Sequence, residues 1–161
     1  MGNERYFELM LMEQVNIFSL VAIDSVGEAP EQCYSELLIY CNKTGVIIWG
    51  AVLEAAVWVD NNRYLLFLTD GLLYENGLTI YLFDIKKGIL EKIKLISAYG
   101  DGYFENMEVD SNSVSFNFFG NYKWTVSVFN KPNIRIPFTE SWVICRDFKL
   151  KTYLEVTKKA I

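Results

Sequence analysis

Two pairs of carboxylates stand close together in the chain, Asp70 with Glu75 and Glu105 with Glu108. Paired acids are the one catalytic device this composition leaves open, because there is no histidine. Without imidazole there is no Ser-His-Asp or Cys-His activation, no His-ligated zinc and no side chain titrating near neutrality of its own accord. Two carboxyl groups alone run glycoside hydrolysis when held roughly 5–10 Å apart. Nothing in the spacing of these four sets that separation on one face. Turn and edge-strand acids are ordinarily solvated, so no catalytic residue is assigned and the chain is read as a non-enzyme, with a carboxylate-based hydrolase as an alternative.

The remaining reactive types point the same way. Cys33, Cys41 and Cys145 are odd in number, form no C-x-x-C pair and lie in apolar sequence. They read as reduced, packed thiols of a cytoplasmic protein. Neither G-x-G-x-x-G nor G-x-x-x-x-G-K-[ST] occurs, and Gly100-Asp101-Gly102 reads as a turn. Asp60-Asn61-Asn62 and Asp110-Ser111-Asn112 supply only the start of a calcium loop and fit Asx-stabilised hairpin turns better. No cofactor and no metal is expected.

Surface charge is more informative than catalysis. The net charge of −5 divides into −9 over residues 1–85 and +4 over residues 86–161. From Lys94 to Lys123 no base intervenes, while Asp101, Glu105, Glu108 and Asp110 are interleaved with Tyr99, Tyr103, Phe104, Phe116 and Phe118. A second base-free stretch runs from Tyr6 to Asn42. Acids speed encounter with a basic protein and aromatic anchors hold it. The expected partner-binding residues are therefore Asp101, Tyr103, Glu105, Glu108 and Asp110, with Asp70 and Glu75. Overall acidity disfavours nucleic acid. The longest apolar run, residues 45–59, contains Glu54 and falls short of the roughly 20 residues of a membrane span. No signal peptide is visible, since the start mixes Glu4, Arg5, Glu8 and Glu13 with its apolar residues.

Short β-type runs must position these residues. Strands are predicted for Tyr6 to Met12, Asn16 to Ile23, Ser35 to Cys41, Val46 to Trp49, Ala55 to Val59, Tyr64 to Thr69, Leu78 to Phe83, Ile89 to Ile96, Tyr103 to Val109, Val114 to Phe119, Lys123 to Phe129 and Trp142 to Arg146. Asn-, Asp- and Gly-rich turns separate them, the chemistry of antiparallel neighbours. Val52 to Val57 and the tail Lys149 to Lys159 are open to helix as well.

The runs also repeat. Leu37 to Gly45 falls on Ile80 to Gly88 at an offset of 43 residues, Val59 to Asn62 on Val109 to Asn112 at 50, and Thr79 to Asp84 on Thr125 to Asn130 at 46. A four-stranded unit of this length resembles a β-propeller blade. The expected fold is all-β, an antiparallel meander with partial or small β-propeller-like repeats, a sandwich or barrel being the alternative. It forms one domain over 1–161, with units 5–49, 52–97 and 98–138 and a C-terminal strand pair over 139–161. The edges of an unclosed meander are open to pairing with a second copy, a homodimer.

A small, acidic, histidine-free β-rich chain with degenerate repeats resembles the immunity proteins of bacterial polymorphic-toxin and contact-dependent growth inhibition systems. The resemblance implies a cytoplasmic toxin inhibitor that covers the active site of a cognate toxin, commonly a basic nuclease, its acids imitating phosphates. A β-repeat scaffold that binds proteins but no toxin is the alternative reading.

Overall fold

The computed structural model describes residues 11–23, 33–72, 76–97, 100, 102–136 and 140–161. The strand predicted over residues 6–12, apart from its last two residues, lies outside them, as do Glu75 and Asp101. Among the described residues thirteen strands follow in order: β1 Glu13–Gln14, β2 Phe18–Ala22, β3 Tyr34–Ile39, β4 Asn42–Trp49, β5 Val52–Asp60, β6 Arg63–Thr69, β7 Leu78–Asp84, β8 Gly88–Leu95, β9 Glu105–Val109, β10 Ser113–Asn117, β11 Tyr122–Ile134, β12 Ile144–Arg146 and β13 Lys151–Ala160. Among the described residues all pairings are antiparallel and most join consecutive strands as in a meander, the exceptions being β1 with β5, β8 with β12 and β11 with β13, so the fold is all-β. Among the described residues no helix is long and apolar enough to cross a membrane.

The strands form three sheets: β1-β5-β6-β7-β8-β12, β13-β11-β10-β9 and β2-β3-β4. The six-stranded sheet lies in the middle, and alternation along its strands sends side chains to two separate cores. On one face Val57, Leu65, Phe67, Ile80, Leu82 and Ile93 meet Val114, Phe116, Trp124, Val126 and Leu154 of the four-stranded sheet. On the other, Ala56, Leu66, Leu68, Tyr81 and Phe83 meet Phe18, Leu37 and Ile48 of the three-stranded sheet. Rings interlock across both seams, with Phe67 and Phe116 centroids 5.4 Å apart and Phe18 and Tyr64 5.0 Å apart. This explains why β6 and β7 are buried at every position and read as unbroken apolar runs.

Each sheet takes most of its strands from one repeat unit. The match of Leu37–Gly45 to Ile80–Gly88 has a backbone counterpart, because Gly45 and Gly88 both take left-handed φ, +74° and +83°. The C-terminal strands do not pair with each other. β12 joins β8 at the edge of the central sheet, while β13 joins β11 in the four-stranded sheet. The helical options over 52–57 and 149–159 are both overturned in favour of strands β5 and β13. In β13 the buried positions Thr152, Leu154 and Val156 recur at period two, and packing on one face overrides the mixed propensity of its lysines.

Arg146 ties these two strands together. Its Nη1 donates to Glu91 Oε1 at 2.8 Å, to Thr152 Oγ1 at 3.1 Å and to the Leu154 carbonyl at 3.0 Å, while Nε donates to Glu140 Oε2 at 2.8 Å. Glu91 Oε2 accepts the Tyr153 N–H at 2.7 Å, so backbone groups on the outer edge of β13 are occupied by an ion pair. The expected packing of the cysteines is corrected: Cys41, at a hairpin tip, and Cys145, on edge strand β12, are exposed, and Cys33 is intermediate, all three as free thiols.

Candidate functional site

The predicted acids fall into two environments. Glu105, Glu108 and Asp110 lie on or beside β9, the open edge of the four-stranded sheet, and all are exposed, as is Tyr103 at 66%. Glu108 stands three positions after Glu105, and in a regular strand an odd offset sends side chains to opposite faces. Here the register shifts: Glu108 is opposite Ser115 and Glu105 opposite Asn117, with Asn106 between them at φ +52°. This bulge places both glutamates opposite the outward-facing Ser115 and Asn117, away from the core residues Val114 and Phe116. Asp110 keeps the parity of Glu108. The acids thus share one outer face with Thr125 and Ser127 of β11, and Ser115 and Thr125 hydroxyls meet at 2.9 Å. Lys123 Nζ pairs with Glu108 Oε2 at 2.5 Å across this face.

Asp70 belongs elsewhere. It is 5% exposed and accepts the Trp49 indole N–H at 2.6 Å, the Gly77 N–H at 3.2 Å and an ion pair from Lys94 at 3.4 Å. The expectation that it presents a free carboxylate to a partner is therefore corrected, because all of its charge is engaged inside the fold. A loop Asp following a fully buried strand has no solvent to face. Its sequence neighbourhood, a Gly-rich turn, gave the opposite impression.

Around Asp70 the structure assembles residues that sequence reasoning passed over. Lys94 Nζ stands 4.7 Å from the Trp49 ring centroid. The Tyr81 hydroxyl accepts the Trp49 N–H at 2.9 Å and donates to the Trp49 carbonyl at 3.1 Å. Burial, with the Asp70 charge adding to it, pushes the Tyr81 hydroxyl up to about 12, against the opposing effect of its backbone hydrogen bond. Gly50, next to Trp49, lets the chain pass against Leu68: a Cβ there would lie 2.7 Å from Leu68 Cβ, and φ is +135°. Tyr34 packs edge-on against Trp49 at 5.1 Å.

Beside this cluster, between edge strand β4 and the uncovered part of β7 and β8, runs a groove of about 400 Å³. Register sets its floor, since Thr79 pairs with Lys94 and Tyr81 with Lys92, all on the face turned toward the three-stranded sheet. Ile47, Trp49 and Ile89 form walls and Asp147 stands at the rim. The sequence signal for this site was the alternation of Thr79 with Tyr81 and of Lys92 with Lys94, which acquires meaning only once the strand register is known.

Comparison with known proteins finds no matching family model, no matching curated protein and no matching solved structure. Two surfaces of the molecule carry the chemistry that bears on function. The first is an acidic, aromatic-flanked strand edge. The second is a mixed apolar and cationic groove on the other side of the central sheet.

Proposed function

We propose that this chain is a stoichiometric protein inhibitor that docks a basic partner on the outer face of the four-stranded sheet, as the resemblance to toxin-neutralising immunity proteins implies. The observation that carries the reading is the Asn106 bulge, which turns Glu105 and Glu108 to the same side as Asp110 beside exposed Tyr103. Lys123 compensates Glu108, while Glu105 and Asp110 have no ion-pair partner among the described residues, and like charges left on one edge repel each other and steer a cationic partner. Edge strand β9 also offers backbone groups that a partner strand can pair with. In a nuclease the docked carboxylates would occupy the groups that otherwise hold phosphates. The three free thiols fit a reducing cytoplasm.

The test is capture from lysate of the native host on immobilised chain, wild type against the triple variant Glu105→Lys, Glu108→Lys, Asp110→Lys. A basic protein retained by wild type and lost from the variant supports the reading, and equal retention at low and high salt overturns it. Expression of the captured protein alone, then with this chain, separates inhibitor from scaffold: growth arrest relieved by co-expression is expected of the inhibitor.

A further inference from the structure

The groove between β4 and β8 contains an unsatisfied donor. Thr79 is 1% exposed, lines the groove floor, and its Oγ1 has no hydrogen-bond partner among the described residues. A buried hydroxyl left unpaired is costly, and native proteins keep few of them. Lys94, its cross-strand neighbour, does not satisfy it, being held by Asp70 and the Trp49 ring. Lys92, next along β8 on the same face, is exposed and makes no ion pair among the described residues. The walls are apolar: Ile47 is 49% and Ile89 39% exposed, which leaves both side chains partly wet.

A hydroxyl donor and a free ammonium near one another above an apolar-walled floor select a carboxylate joined to an apolar body. We propose that the groove binds a small aromatic or branched monocarboxylic acid. Its carboxylate lies between the Lys92 ammonium and the Thr79 hydroxyl, which donates to it, and its apolar body rests against Ile47 and Ile89. Asp147 at the rim opposes a second negative charge on the ligand and accepts an α-ammonium, so the class extends to apolar α-amino acids and excludes dicarboxylates. The size fits, because about 400 Å³ lies within the range of small-molecule sites. The site is separate from the acidic face and does not depend on what docks there.

Titration of the full-length protein with phenylacetate, L-phenylalanine, phenylsuccinate and phenethylamine, followed by amide NMR, tests this. Saturable shifts confined to residues around Trp49, Thr79 and Lys92 are expected with phenylacetate or L-phenylalanine, and none with the amine or the dicarboxylate. Thr79→Val keeps the side-chain shape and breaks no existing hydrogen bond, so the fold persists; it should weaken binding about tenfold, the effect of one lost hydrogen bond to a charged group. Lys92→Gln should weaken it at least fivefold and remove the salt dependence. Carboxylate binding unchanged in both variants, preference for the amine, or no saturable shift at millimolar acid would each overturn the proposal.

Discussion

The hydroxyl of Tyr81 spans both backbone groups of Trp49, accepting its N–H at 2.9 Å and donating to its carbonyl at 3.1 Å. One side chain of the central sheet thereby closes the end of β4, which is an edge strand. The same contact fixes the indole that Asp70 and Lys94 hold from the far side.

Tyr81→Phe removes that bridge and leaves both Trp49 groups to find other partners. A loss of about 1–3 kcal/mol is expected. Urea denaturation followed by far-UV dichroism measures it, and Trp49 amide exchange should quicken in the variant. An unchanged midpoint together with unchanged exchange would contradict this role.

The raised Tyr81 pKa makes a separate prediction about pH. Because the folded value, about 12, exceeds the ordinary 10.0, the folded state holds its proton more tightly. This stabilisation is complete below pH 10 and is lost as pH rises toward 12. Denaturation midpoints between about pH 9 and about pH 11.5 should therefore fall more steeply for wild type than for Tyr81→Phe. Parallel slopes would show that other tyrosines and lysines account for the decline.

Asn106 decides which way Glu105 faces. Asparagine tolerates its φ of +52°, whereas a β-branched residue does not. Asn106→Val should cost about 1–2 kcal/mol and weaken capture of a basic partner. Asn106→Gly should preserve both. Thermal melts with the lysate capture described above read the two effects, and a valine variant that retains the partner at full strength would detach the bulge from binding.

Arg146 is the third lever. Its side chain is 5% exposed and that of Glu91 10%, so removing the cation strands a nearly buried carboxylate. Arg146→Met should destabilise by about 3–5 kcal/mol, and Arg146→Met with Glu91→Leu should recover part of that loss. A double variant no more stable than the single one in urea would place the energy in the hydrogen bonds to Thr152 and Leu154 instead.

How legible was all this? Turn chemistry at Asn61-Asn62 and Ser111-Asn112 placed hairpins correctly, since Asn in a two-residue loop has few other readings. The acids of β9 were recognisable as surface residues because no base and few aliphatics surround them. The Lys151–Ala160 tail was not resolved as a strand, because its lysines suit a helix and only docking against β11 decides. Asp70 was misplaced for a related reason: local sequence reports a turn, and burial comes from Trp49 and Lys94, 21 and 24 residues away. The groove was illegible because Thr79 and Lys94 become neighbours only through register.

One of the two-residue hairpins contains a mismatch between sequence and backbone. Ile39 pairs with Asn42, so Tyr40 and Cys41 form the whole turn, at φ +48° and +64°. Both residues of such a turn need positive φ, for which Asn-Gly is preferred, and a tyrosine and a cysteine there are strained. Tyr40 is 70% exposed and Cys41 is exposed too, so neither is retained for packing. Tyr40→Asn with Cys41→Gly should therefore stabilise the protein by about 1 kcal/mol, relief of strain outweighing the greater freedom glycine gives the unfolded chain. A raised urea midpoint with an unchanged slope is the expected result. A fall in stability would mean that the exposed tyrosine makes a contact that compensates its backbone, and growth or capture assays on the same variant would then show whether that contact serves the partner.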